Sequence, residues 1–520
     1  MIFIGDLVNV TAASYISRAF HASAIVGHWL YIDGGETLYR KSEGGLEQAL
    51  VNKTLAIDLS VPWSNTTVAF STIDKGGSPV FTSESLWLDA QEPALYSFGG
   101  EVSWWATWPN VTQPTVPKLW KFVPNNTGGG KWSDQTSNTS EFYGLNQPVG
   151  GVHAFGGDAG YYLGGYLDVG TWPAITANWI LIPQPGLIIY NFTTNRWQNI
   201  TAHGYSIYGT AHYGGAEFVP IFGPQGVLIA LGGWTSNPVS LDYSASVTPM
   251  ERIAIFEPRS QTWYNQTATG TIPEPRSQFC TVGVPEDNGT YEVFMYGGTS
   301  DPLYGAADHA SPFHSDFPSA DMLRVELNLD EIYVLSLPSF VWFKANYPVT
   351  ANRYGHTYEV VGNRQLLSIG GANFARVHAS NTTTPSDVFT QGLGIFDMTK
   401  MAWSSSYDPK AAAYKTPQMV KDYTGSMGPY PSSWNDARLG QLFATKVASG
   451  PVSSGPSSPG PVDTSKSPTG AIVGGIVGGV LAIILVIGAV WLLMRRRRKK
   501  GEQEQAQYAA GQFHDSHPPS

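Results

Sequence analysis

A pair of adjacent glycines set behind a short apolar run recurs six times along this chain of 520 residues. The pairs are Gly34–Gly35 (YIDGG), Gly99–Gly100 (YSFGG), Gly156–Gly157 (HAFGG), Gly232–Gly233 (LIALGG), Gly297–Gly298 (VFMYGG) and Gly370–Gly371 (LLSIGG), at steps of 65, 57, 76, 65 and 73 residues. After each pair comes a second apolar run, a polar turn and a tryptophan: Trp63, Trp132, Trp197, Trp263, Trp342 and Trp403. Ahead of several pairs stands another strand-like run with a basic or histidine lead, as in RAFHASAIV, PRSQFCTV and NRYGHTYEVV. A periodic chain of this kind is read by its repeat first, because one unit cannot bury both its faces and must stack on its neighbours.

Each unit reads as strand, strand with Gly–Gly, strand, turn and Trp-bearing strand. Composition agrees with an all-β chain. Glycine is heavy at 57 residues, aromatics reach 13% and charged residues only 13%, so long amphipathic helices lack their usual material. Small four-stranded sheets can close radially, which protects the strand edges. Glycine serves where a strand leaves the crowded inner zone and the backbone needs positive φ or close approach. Tryptophan offers a plate of roughly 150–250 Å² to fill the wedge between sheets.

The paired glycine with a spaced aromatic and a tryptophan resembles the kelch repeat, from about Arg18 to Trp403. Kelch units run near about fifty residues; these are longer, so the resemblance implies loop insertions. It also implies a six-bladed kelch-type β-propeller over residues 1–446, with repeats at about 18–403 and a closing segment at 404–446. Within that segment the apolar spacing of WNDARLGQLF predicts packing on the propeller's underside. We expect one strand from either terminus to latch the ring.

Residues 447–470 are rich in Pro, Ser and Gly and read as an extended, disordered stalk. Ala471–Met494 is an uncharged run long enough to cross a bilayer core of about 30 Å as one helix. RRRRKK follows at Arg495–Lys500, which sets residues 495–520 as a cytoplasmic basic tail and the propeller as extracellular. The stalk, span and stop resemble single-pass surface proteins of filamentous fungi, and the whole is similar to fungal kelch proteins anchored in the plasma membrane. Eleven N-x-Ser/Thr sequons all precede the span: Asn9, Asn52, Asn65, Asn110, Asn125, Asn138, Asn191, Asn199, Asn265, Asn288 and Asn381. Half of the asparagines lie in sequons, which fits a glycosylated exterior. A type I topology calls for a signal peptide, and MIFIGDLVNV is too short and carries Asp6. We therefore expect the natural chain to begin further upstream, with a tail signal-anchor as the alternative.

The net charge of −10 argues against a nucleic-acid surface. The basic tail should attract anionic lipid, at about 1 kcal/mol per basic residue. Gly474–Gly478 and Gly475–Gly479 are small-xxx-small pairs that offer a dimer face, and dimer and monomer stay equally open. Trp104, Trp105 and Trp108, in EVSWWATW, are candidate ligand-binding residues that can stack on sugar rings, the alternative being packing beneath their own insertion. Asp308, His309, His314 and Asp316 are metal-capable types on one loop, but their spacing matches no metal motif. The only cysteine, Cys280, reads as a buried structural thiol.

The function expected is binding rather than catalysis, of a cell-wall glycan or a protein ligand, with no cofactor. The enzymatic alternative is a galactose-oxidase-like copper radical oxidase, which also uses kelch-type blades. That resemblance would require two tyrosines, two histidines and a cysteine cross-linked to one tyrosine at the axis. Cys280 lies mid-strand, and no His–Tyr pair aligns with those copper ligands.

Overall fold

The computed structural model describes residues 14–41, 44–102, 117–172, 174–175, 181–238, 245–300, 329–348, 353–372 and 386–445. They form six sheets, each built on four antiparallel strands taken in sequence order, with a fifth strand added in blade 1 and, as the parallel Thr269–Gly270, in blade 5. From the inner strand outward, blade 1 is Tyr15–Val26, Trp29–Arg40, Lys53–Asp58 and Ser71–Asp74, with Leu46–Leu50 also paired to the second strand. Blade 2 is Phe81–Asp89, Ala94–Val102, Leu119–Pro124 and Gly130–Asp134; blade 3 is Val152–Gly156, Ala159–Leu163, Leu187–Asn191 and Arg196–Ile200. Blade 4 is Gly215–Val219, Val227–Leu231, Arg252–Glu257 and Thr262–Thr267. Blade 5 is Cys280–Pro285, Tyr291–Tyr296, Ile332–Leu337 and Val341–Lys344, and blade 6 is Thr357–Val361, Gln365–Ile369, Leu393–Asp397 and Ala402–Ser404. The inner strands neighbour one another in order, and that of blade 6 meets that of blade 1, so the ring closes.

The glycine pairs are the stitches of this ring. The second glycine's amide donates to a carbonyl at the lead of the next blade: Gly100 to Pro148 at 3.0 Å, Gly233 to Arg276 at 2.8 Å, Gly298 to Arg353 at 2.9 Å. Gly371 donates to Arg18 at 2.5 Å and so ties the last blade to the first. Both residues of each such pair have positive φ, for example +74° and +81° at Gly99 and Gly100. A Cβ on Gly34 would stand 2.2 Å from the Phe81 carbonyl oxygen of blade 2. Left-handed backbone and direct contact with a neighbouring chain together leave room for glycine alone.

One pair is misassigned by the sequence reading. Gly156 ends the inner strand of blade 3 and Gly157 begins its turn. The true equivalent is Gly164–Gly165 (YYLGG), with φ of +71° and +85° and a Gly165 amide bonded to the Ala211 carbonyl at 2.7 Å. With this pair the steps become 65, 65, 68, 65 and 73 residues.

Each repeat tryptophan wedges against the preceding blade. Trp132 Nε1 donates to Thr54 Oγ1 of blade 1 at 2.8 Å, Trp263 Nε1 to the Thr201 carbonyl at 3.2 Å, and Trp342 Nε1 to the Met250 carbonyl at 3.0 Å. Trp197 packs 5.0 Å from Phe98 of blade 2, and Trp403 packs 5.3 Å from Tyr296 of blade 5. Trp63 departs from the expected place, since the outer strand of blade 1 is Ser71–Asp74. It lies instead in a two-residue strand, Trp63–Ser64, paired with Ser406–Tyr407 and 4.8 Å from the Tyr407 ring.

That ribbon, and not a shared strand, does the latching expected of a terminus. The seam is completed by Phe20 N to Gly355 O at 2.7 Å, Ser23 Oγ to Glu359 Oε1 at 2.8 Å and Tyr407 OH to Leu59 O at 2.9 Å. Downstream, helices Gln418–Met427 and Ala437–Ala444 follow. Leu439 and Phe443, from WNDARLGQLF, are buried against blades 4 and 5, with Phe443 4.8 Å from Phe222 and 5.0 Å from Phe340. No helix among the described residues is long and apolar enough to cross a membrane. The expected span Ala471–Met494, the stalk and the basic tail lie outside the described residues.

Candidate functional site

The antiparallel blades give the ring two unlike ends. At one end the second strand leads to the third and the fourth leads to the next blade; the longest connections all leave here, such as Val102 to Leu119, Tyr296 to Ile332 and Ile369 to Leu393. The opposite end has short turns and, at blades 4 and 5, the C-terminal helices. Trp104, Trp105 and Trp108 belong to the first of those connections, and Asp308, His309, His314 and Asp316 to the second. Both sets lie outside the described residues.

The stitch-accepting residue at this end is Pro148 and Ala211 in blades 3 and 4 and arginine in blades 5, 6 and 1, namely Arg276, Arg353 and Arg18, and in blade 2 the Phe81 carbonyl stands against Gly34. All three arginines are buried. Arg353 donates to Asp387 Oδ1 at 2.7 Å and to the Gly370 carbonyl, and its guanidinium stands 4.3 Å over the Phe389 ring. Arg276 donates to the Gly297 carbonyl at 3.2 Å and the Glu274 carbonyl at 3.0 Å, with Glu331 at 3.7 Å. Arg18 is 9% exposed, its Nε is sealed without a hydrogen-bond partner, and no carboxylate pairs with it among the described residues. The cationic setting shows in the neighbouring imidazoles. Burial and then Arg18 push His21 down to about 3, and burial, Arg353 and His21 hold His356 well below the usual histidine range.

Further down the axis two carboxylates stand on inner strands. Glu217 of blade 4 accepts from Tyr291 OH at 2.6 Å, and Glu359 of blade 6 accepts from Ser23 Oγ. Burial raises both to about 7, and the charge of Glu217 raises Glu359 further. Between blades 1 and 2, Asp33, Lys75, Thr54, Glu84 and Ser97 form a buried polar network. Burial raises Glu84 to about 8, helped by the Asp33 charge and opposed by Lys75.

Cys280 is the first residue of the inner strand of blade 5 and half-buried, not mid-strand and fully buried as expected, and its Sγ donates to the His356 carbonyl at 2.6 Å. Burial and then Glu359 push its thiol well up, as expected of a structural cysteine. Tyr296 and Tyr358 stack nearby with centroids 5.6 Å apart and planes at 8°. The residue types of a copper radical centre therefore stand together here, but as packed core. The thiol is turned to a backbone carbonyl and the two rings lie face to face, which does not fit an open coordination site. Among the described residues no three His, Cys, Asp or Glu side chains gather as a metal site.

Of the sequons, Asn52, Asn125, Asn138, Asn199 and Asn288 are exposed, and Asn65, Asn191 and Asn265 are half-buried. All eight lie on third or fourth strands or connections, none on an inner strand. Asn9, Asn110 and Asn381 lie outside the described residues. The axial arginines and glutamates were not singled out by the sequence; the available signal was the basic lead repeated ahead of the glycine pairs.

No family model matches the chain. It is similar to a kelch repeat-containing protein of the fungus Arthroderma benhamiae (strain ATCC MYA-4681 / CBS 112371), 24% identical over 422 residues. These are 74% of this chain and 56% of that protein, so the chain spans little more than half the length of its relative. Among solved structures, one titled "Structure of YjhT" matches at 12% identity with a TM-score of 0.47, over 76% of this chain and 99% of that one. A copper complex of a fungal alcohol oxidase of the AA5 family matches at 12% identity with a TM-score of 0.40, over 78% of this chain and 67% of that one. The described residues are a six-bladed β-propeller assembled from kelch-type repeats.

Proposed function

We propose that this chain is a cell-surface binding module: a glycosylated propeller held outside the plasma membrane on the 447–470 stalk by the 471–494 helix. It presents the end with the long connections to a cell-wall glycan or a protein ligand, in adhesion, wall sensing or polarity. The observation that carries this reading is the asymmetry of the two ends. The longest connections leave one end, where three blades lead their inner strands with a buried arginine, and the other end carries mostly short turns and the packed helices. Loops on a rigid ring are where propellers of any ancestry place recognition. The outward placement of the described sequons supports an exterior location.

Retention of purified propeller on cell-wall fractions tests it. Specific retention that is lost on Trp104→Ala is the expected result, and no retention on any fraction counts against it. The galactose-oxidase-like oxidase stays as the second reading, favoured only by the meeting of its residue types, Cys280 opposite Tyr296 with His356 and Tyr358 beside them, and opposed by their packing. Stoichiometric copper in the purified protein would select it.

A further inference from the structure

We propose that Arg18, on the inner strand of blade 1 at the end with the longest connections, is the anchor of an oxyanion-binding site, taking a carboxylate or phosphate group of the ligand. The proposal deepens the binding-module reading and rests on it for the claim that the site meets an external ligand. Three blades in a row place arginine at the same stitch position, and two of them have a carboxylate and a carbonyl within the chain. Arg353 has Asp387 and the Gly370 carbonyl; Arg276 has Glu331 and the Gly297 carbonyl. Arg18 is also buried, at 9% exposure, but forms no side-chain hydrogen bond or ion pair among the described residues.

The reason lies in the sequence of blade 1. The carboxylate partners of the other two arginines come from just ahead of the third strand, at Glu331 and Asp387. The corresponding stretch of blade 1, Leu46–Leu50 followed by Val51 and Asn52, puts no acid next to the third strand, and its Glu47 turns outward to Lys41 at 3.4 Å. A secluded guanidinium without a counter-charge is costly, and the cost is removed by a ligand oxyanion that matches its planar fork. The titratable and charged groups around it are Tyr15 on its own strand, His21 one turn of the pleat further on, and Arg353 with Asp387 from blade 6. His21 is neutral and Asp387 is already held by Arg353, so the charge of Arg18 itself is left uncompensated. In a chain of net charge −10 this is a local exception.

The test is thermal unfolding of the purified protein in chloride, inorganic phosphate and glucuronate at one ionic strength, for wild type, Arg18→Met and Arg18→Gln. At anion concentrations about tenfold above Kd the wild-type midpoint should rise by about 2 °C over chloride. A response to glucuronate alone assigns the site to carboxylates, one to phosphate alone assigns it to phosphates, and both assign it to oxyanions at large. Arg18→Met should unfold at a higher temperature than wild type in chloride, because it removes a secluded unpaired charge, and should not respond to either anion. Wild type without any anion response overturns the proposal, as does a response that persists in both variants. A lower midpoint for both variants in chloride also overturns it, since Arg18 would then have its partner within the chain. An absent anion response with intact wall retention defeats this inference alone; a clear anion response without wall retention defeats the wider reading.

Discussion

At the scale of single residues, the fold depends on positions that tolerate one side chain. Gly99 has φ of +74°, and a Cβ there would stand 2.8 Å from the Pro148 carbonyl oxygen and 3.0 Å from the Tyr162 ring. Gly99→Val should destabilise by at least the about 1–3 kcal/mol typical of overpacking, seen as a lower unfolding midpoint and reduced secretion. Trp197→Ala opens a cavity among Trp87, Phe98, Phe142 and Tyr190 and should cost about 3–5 kcal/mol in the same assay. Glu84 gives a pH signature. Its carboxyl is raised from 4.5 to about 8 in the folded chain, so between those values the unfolded chain ionises while the folded one stays protonated. The Glu84 contribution is full below about 4.5 and is lost as pH rises through about 8. Urea midpoints of wild type minus Glu84→Gln should therefore fall from pH 5 to pH 8.5, and a constant difference would refute the assignment. Five of the six tryptophans and five of the glycine pairs were legible as sequence, Trp63 being drawn into the ribbon with Ser406–Tyr407. The sixth was not, because HAFGG and YYLGG both read as strand plus Gly–Gly, and only φ and the Ala211 stitch separate them. The uneven steps of 57 and 76 residues were the one available warning.

At the scale of elements, the ring has one weak seam and one brace. The seam between blades 6 and 1 relies on the Trp63–Ser64 and Ser406–Tyr407 ribbon instead of a full strand. Tyr407→Phe removes a buried hydroxyl bonded to the Leu59 carbonyl and should cost about 0.5–1.5 kcal/mol, while Tyr407→Ala should cost several-fold more through the lost stack on Trp63. Hydrogen exchange should rise first in blades 1 and 6, and protection lost evenly around the ring would argue against a local seam. The brace is the helix Ala437–Ala444, capped by Asp436, whose side chain accepts from the Arg438 amide. Its apolar spacing was readable beforehand. Its partners Phe222 and Phe340 were not, since they stand 221 and 103 residues before Phe443 and meet it only in the folded ring.

At the scale of the whole molecule, the blades set which asparagines can carry a glycan. Expressed through the secretory route, the chain should be occupied first at Asn52, Asn125, Asn138 and Asn199, which are exposed. Asn191 and Asn265 should lag, because their amide nitrogens donate to Asp158 at 3.1 Å and to the Gly204 carbonyl at 2.8 Å. Glycopeptide mass spectrometry measures this order, and equal occupancy at all sites would show that these bonds form only after the glycan is attached.

The amino-acid sequence alone determined the count and kind of repeats, because a glycine pair in a left-handed bend and an indole wedge are local demands that repeat wherever a blade repeats. Only the tertiary structure decided which residues share the axis. His21 and His356 are far apart along the chain, as are Glu217 and Glu359, and the ring brings each pair together by closing on itself. Burial and charge at that axis are properties of the closed ring, and no single blade carries them.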